Sequence, residues 1–169
     1  MSRVTRPALR GSLLGTLLHL WNPVMRRLLN SRAHWPLSRW FAVLSWTGRK
    51  SGRQYSTPVS YVRDGSSAYV TTGDRWWHNL TGGAPVRVRI SGHWLEGIGV
   101  PVRNAESRTE HERLFREHPW FRWLSGIPGD GRGGPDRVAL DRALGSGRVL
   151  VRIELTEAQS PMADRRQDR

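Results

Sequence analysis

The chain has 169 residues, 37% of them hydrophobic, which suits one domain around a single modest core. It has no cysteine, which excludes structural disulfides, thiolate-zinc sites and cysteine nucleophiles. Lys+Arg 27 against Asp+Glu 14 gives a formal net charge of +13, so the surface attracts anions of any kind: nucleic acid, anionic lipid, or a phosphorylated or polycarboxylate cofactor.

Residues 8–30 read as a helix. Leu13, Leu14, Leu17, Leu18, Trp21, Val24, Leu28 and Leu29 recur at three- and four-residue steps and form one apolar stripe. Pro23 kinks or splits it. Such a helix either packs on the body of the protein or lies on an anionic membrane surface, with Arg10, Arg26 and Arg27 beside the stripe. The apolar run Ser12–Met25 contains His19, Asn22 and Pro23, too short and too polar for a span of about 20 residues.

From Trp40 the pattern changes to short strands. Trp40–Trp46 is a compact apolar strand, Gly48–Gly52 a turn, and Gln54–Arg63 a β-branched and aromatic strand. Asp64-Gly65 signals a hairpin back into Ala68–Thr72. Asp74–Leu80 predicts one or two helical turns capped by Asp74 and ended by Gly82-Gly83. Val86–Ile90 alternates strictly, Ser91-Gly92 turns the chain, and Trp94–Val102 returns. Ala105–Glu117 predicts a helix anchored by Leu114 and Phe115, followed by short helices over Pro119–Leu124 and Arg137–Leu144. Val149–Leu155 is the last strand, and residues 157–169 are expected to be a disordered tail. The sum is an α+β protein: about six mostly antiparallel strands around a small barrel, with an N-terminal helix and two or three peripheral helices. The expected divisions are 1–39, 40–156 and 157–169.

Several familiar patterns fail. Gly129–Gly134 (GDGRGG) matches a dinucleotide fingerprint in letters, but it follows no strand and sits between Pro128 and Pro135. Gly48–Gly52 (GRKSG) places its lysine before the second glycine, so it is not a phosphate-binding loop of the nucleotide type. The histidines lack helical metal-ligand spacing, no paired carboxylates stand out, and no metal is expected. Nor is a recognised nucleic-acid motif present, which disfavours that partner despite the charge.

One stretch survives. Lys50 is the only lysine in the chain, set between two glycines and flanked by Arg49 and Arg53. Thr47–Arg53 thus gathers three cations and two hydroxyls, from Thr47 and Ser51, in a turn whose glycines permit unusual backbone angles. Such a turn is either a basic surface hairpin or an anion cradle. Pro58 interrupts the next strand with no N–H to donate, which places that strand at an edge or bulge. Thr71-Thr72-Gly73 ends a strand in small residues, and Trp76-Trp77 follow at once, as core packing or as an aromatic wall beside a flat ring.

TGRKSGR at Thr47–Arg53, TPV at Thr57–Val59, RDG at Arg63–Gly65 and WWHNL at Trp76–Leu80 occur in that order, ahead of VRVRISG at Val86–Gly92. In this order the chain resembles the deazaflavin-dependent nitroreductase-like proteins, which use coenzyme F420. The similarity covers about Trp40–Asn104. It implies a split β-barrel like those that bind flavin mononucleotide (FMN). It also implies that Arg49, Lys50, Ser51 and Arg53, with Thr47 and Gly52 in the same loop, hold the cofactor's phosphate and glutamyl tail. By the same resemblance Thr57, Pro58 and Val59 lie along the deazaflavin ring, and Thr71, Thr72, Gly73, Trp76, Trp77 and Asn79 complete the pocket. Many members carry a longer loop before W-x-x-N-L, where this chain has only Gly73, Asp74 and Arg75, so FMN stays open as an alternative cofactor.

The activity implied is hydride transfer from reduced F420 to a small quinone, enone or nitroaromatic acceptor. Tyr61, Ser60 or a late-chain aromatic is the candidate donor to that acceptor. The alternative is a non-catalytic barrel holding a flavin, a lipid or a tetrapyrrole. A cytoplasmic protein is expected, peripheral on the inner face of the membrane if the N-terminal helix binds there, and a homodimer is left open.

Overall fold

A computed structural model of the protein describes residues 39–156. The expected N-terminal helix, with its membrane contact, and the expected tail lie outside the described residues.

Seven strands form one antiparallel sheet: β1 (Phe41–Thr47), β2 (Gln54–Ser60), β3 (Val62–Asp64), β4 (Ser67–Thr72), β5 (Ala84–Ile90), β6 (His93–Val102) and β7 (Val149–Leu155). Their order across the sheet is β2-β1-β5-β6-β7-β4-β3. About six strands were expected; the extra one arises because the run Gln54–Arg63 breaks at Tyr61. There the backbone N–H donates to Trp40 O at 3.1 Å and the chain changes partners, from β1 to β4.

That break shapes the molecule. β2 and β3 are the two outer edges of the sheet, yet a single residue joins them. One residue spans at most about 3.6 Å, so the sheet must curl until its edges meet at Tyr61. β2 accordingly comes close to β4. Away from Tyr61 the edges are free. Among the described residues β2 has no partner on its outer side, in keeping with Pro58, and β3 covers β4 only over Ser67–Tyr69, leaving Val70–Thr72 open. The result is a split barrel with a gap between β2 and the end of β4.

The single core expected from composition is in fact two, one on each face of the curled sheet. Inside the barrel, Ala42, Leu44, Trp46, Val70, Val88 and Ile153 pack together with Leu80, which plugs one end. On the outer face, Tyr69, Val102 and Leu150 pack under α1 (Asn104–Glu117), α2 (Pro119–Leu124) and α3 (Arg137–Gly145), against Leu114, Phe115, Phe121 and Leu140. β7 is buried on both faces, hence its unbroken Val149–Val151 run instead of an alternation. None of the described helices is long and apolar enough to cross a membrane.

Candidate functional site

The sheet register brings distant segments to one end of the barrel. β1, β4 and β6 finish there, and β2, β5 and β7 begin there. A 3-10 helix (Arg75–Leu80) lies across this end. The hairpin loop between β1 and β2 carries Arg49, Lys50 and Arg53, all exposed. Gly48 and Gly52 shape it. A Cβ on Gly48 would stand 2.7 Å from the Tyr55 ring, and Gly52 has φ +64°. Gly48 N–H donates to Arg53 O at 2.8 Å, and Gly52 N–H to Gly48 O at 2.9 Å.

The loop does not project freely into solvent. Asn79 Oδ1 accepts the Arg49 N–H at 3.1 Å, while Asn79 Nδ2 donates to Trp76 O at 2.9 Å. One amide thus fastens the loop to the 3-10 helix. Behind it three rings stack: Trp46 on Tyr55 with centroids 6.0 Å apart, and Trp46 on Trp76 at 5.1 Å. The Tyr55 hydroxyl lies 3.2 Å from Ser51 Oγ. Trp46 Nε1 is buried with no acceptor among the described residues. Lys50 has no hydrogen-bond or ion-pair partner among them either. At this one barrel end, therefore, an unpartnered Lys50 stands with the exposed Arg49 and Arg53 near an aromatic stack, beside two strand edges unpaired among the described residues.

The sequence profile of the F420H2-dependent quinone reductase family matches residues 26–122, more than half of the chain. The chain belongs to that family. It is an oxidoreductase, and the family's cofactor is coenzyme F420. No curated protein matches it. Among solved structures it is similar to an F420-H2-dependent reductase, at 16% identity, TM-score 0.43, over 69% of this chain and 95% of that one. It is also similar to an FAD- and heme-binding protein of Mycobacterium smegmatis, at 16% identity, TM-score 0.38, over 80% and 76%. A third is the heme storage protein HutZ of Vibrio cholerae, at 11% identity, TM-score 0.43, over 80% and 90%.

The residues at the barrel end fit the cofactor of an F420H2-dependent quinone reductase. An acidic tail needs unpaired cations, which Lys50 and its neighbours supply. A planar heteroaromatic ring needs an apolar wall and a hydrogen-bond donor, and the Trp46–Trp76 stack with the orphaned indole N–H has both.

The structure does not gather every expected site residue. Thr47 is exposed at the end of β1 and Gly73 at the end of β4. Thr57 and Val59 share the inner face of β2, Val59 within the barrel core, while Pro58 faces the other way opposite Val43. Thr71 and Thr72 also part. Thr72 faces inward, its Oγ1 accepting the Asp74 N–H at 3.0 Å, whereas Thr71 Oγ1 meets His111 Nε2 at 3.0 Å under α1. Strand alternation sends adjacent threonines to opposite faces, so Thr71 does not join the pocket. Asp74 stands at the cap position of the 3-10 helix but makes no side-chain cap bond; only its backbone N–H is engaged, by Thr72 Oγ1. Trp76 is half-buried in the stack. Trp77 lies in the core, its ring 3.7 Å from that of His78.

The candidate donors differ. Tyr61 is 7% exposed in the barrel core, and burial holds its phenol above its ordinary pKa, with Arg63 pulling weakly the other way. Ser60 is half-buried on the β2 edge. Sequence reasoning missed Tyr55 and Trp46 as parts of the site. Tyr55 could have been found from the inward alternation Tyr55, Thr57, Val59; Trp46 looked like ordinary strand core.

Proposed function

We propose that the protein binds reduced F420 with its acidic tail on Arg49, Lys50, Ser51 and Arg53 and its ring in the gap between β2 and β4, and reduces a small quinone-type acceptor stacked on that ring. The observation that carries this is the conjunction at one barrel end of an unpartnered Lys50, a loop held by Asn79, and an indole stack with an unsatisfied N–H. Bound there, the reduced deazaflavin supplies a hydride, two electrons to the acceptor, and a solvent proton completes the hydroquinone.

The chain's own residues bind, orient and exclude water. Thr57 and Val59 offer the ring a smooth edge, and Trp76 closes the wall behind it. Ser60, at the edge, is the donor within reach of an acceptor carbonyl; Tyr61, buried and kept neutral, supports the same turn by packing. Enones and nitroaromatics have the same flat, electron-poor shape, and the open gap does not discriminate against them.

Titration with F420 and with FMN tests the reading. F420 should bind the more tightly, with an affinity that falls as salt rises. Lys50→Ala with Arg53→Ala should weaken it about tenfold, since exposed ionic contacts contribute up to about 1 kcal/mol each. Salt-insensitive binding that survives both substitutions overturns the cradle. Binding without turnover of a quinone overturns the activity and leaves a carrier.

A further inference from the structure

A second basic hollow lies on the outer side of the barrel end, separated from the hairpin loop by the 3-10 helix. Its volume is about 330 Å³, and it is lined by Trp77, Arg103, Ser107, Leu144, Gly147 and Arg148. Arg103 directly follows β6 and Arg148 directly precedes β7, and the register sets these strand ends side by side although they are far apart in sequence.

Both arginines are positioned by the protein. The Arg103 guanidinium lies over the Trp77 ring, 5.4 Å from its centroid. Arg148 is fixed through its backbone N–H, which donates to Ala143 O at 3.0 Å. Its side chain is half-buried, its Nε is enclosed without an acceptor, and burial holds its pKa below the ordinary arginine value. Nearby carboxylates are engaged elsewhere: Glu106 with Arg152 at 3.5 Å, and Asp141 with Arg108. Arg148 therefore stands in a concave, partly desolvated place with no counter-charge among the described residues. A cation so placed is unfavourable unless an anion joins it.

We infer that this hollow binds an oxyanion, a carboxylate or phosphate group of a small organic acid, clamped between Arg103 and Arg148 with its apolar body against Trp77 and Leu144. Arginine's planar fork suits either group. The Ser107 hydroxyl on the wall is a further donor, 3.4 Å from His111 Nδ1. Two sources share this chemistry: the far end of the cofactor's glutamyl tail, and a separate acidic metabolite. The site itself rests on Arg103 and Arg148 and not on the cofactor reading.

The test uses the full chain without cofactor, titrated with inorganic phosphate and with glutarate against sodium chloride of equal ionic strength. The wild type should bind both anions and gain melting temperature. Arg148→Met should lose about tenfold or more in affinity, as removal of a charge-assisted bond does, and melt no lower than the wild type in chloride. Arg103→Gln, an exposed change that leaves the fold intact, should lose part of the affinity. Lys50→Ala should keep the Arg148-dependent part. An undiminished response in Arg148→Met, or in Arg103→Gln should the first variant not fold, overturns the site. F420 with and without its glutamyl tail separates the sources. A loss in Arg148→Met confined to the tailed form assigns the hollow to the tail; an Arg148→Met variant that binds both forms as the wild type does assigns it to a separate acid. Failure of F420 to bind at all would sink the proposed function and leave the phosphate result standing.

Discussion

His111 is fully buried, and its partners fix its tautomer. Nδ1–H donates to Ser107 O at 2.7 Å, so Nε2 accepts from the Thr71 hydroxyl at 3.0 Å. Its pKa is lowered from 6.5 to about 4, chiefly by burial with Arg148 acting the same way, while the Ser107 bond and Glu110 oppose the change. The folded state therefore takes its proton later than the unfolded chain does. Between pH 6.5 and about 4 the unfolded state holds more protons, so stability rises with pH there and falls as acid is added. The loss from this one group reaches at most about 3 kcal/mol. His111→Gln keeps one hydrogen bond and cannot titrate. Urea unfolding at several pH values should show a shallower acid loss for the variant across that window, and equal slopes would refute the argument. Arg113, on the same helix, is surrounded by Asp64 of β3 and by Glu110 and Glu117, and its pKa is correspondingly raised, with Glu110 the largest cause. This cluster is the same in both proteins, so the difference between them isolates His111.

The β1–β2 hairpin and the 3-10 helix are separate elements joined by one side-chain amide. Asn79→Ala removes the acceptor for the Arg49 N–H and the donor to Trp76 O. The expected cost is about 1 kcal/mol of stability, the usual net worth of such bonds. The larger effect should be on F420: a loosened loop must be ordered on binding, so affinity should fall several-fold with little change in the turnover of bound acceptor. Unchanged affinity would mean that the loop holds its shape without the amide. Most elements were legible in the sequence because each carried its own period and punctuation: the alternation of Val86–Ile90, Ser91-Gly92 after it, and Pro58 marking an edge. What was not legible depended on strand partners. Nothing local tells Tyr61 to end one strand and begin another, since that break is set by the switch from β1 to β4. Thr71 and Thr72 look equivalent as letters and part only once both faces of β4 are known to be covered. Arg103 and Arg148 lie 45 positions apart, and no spacing rule links them. Only the β6–β7 register does.

The whole molecule is a sheet that fails to close. Its interior strands are bonded on both sides, and β7, between β6 and β4, is buried on both faces as well. β2 is bonded on one side only, and its far end carries the cationic loop. With Lys+Arg 27 against Asp+Glu 14, the molecule as a whole favours anions, but general attraction cannot select which part of the structure a ligand orders. Amide hydrogen exchange can. In the free protein, β2 and residues 48–53 should exchange far faster than β7, because an edge with exposed amides opens locally without unfolding the core. Binding of F420 in the gap should slow exchange in β2, the loop and the 3-10 helix, and leave β7 as it was. If the anion effect were only a diffuse surface attraction, phosphate at matched ionic strength would slow the same loop as well as the cofactor does, and β2 would not respond. Protection of β2 by the ring-bearing cofactor alone therefore distinguishes a ligand lodged against the open edge from an ion atmosphere around a basic protein.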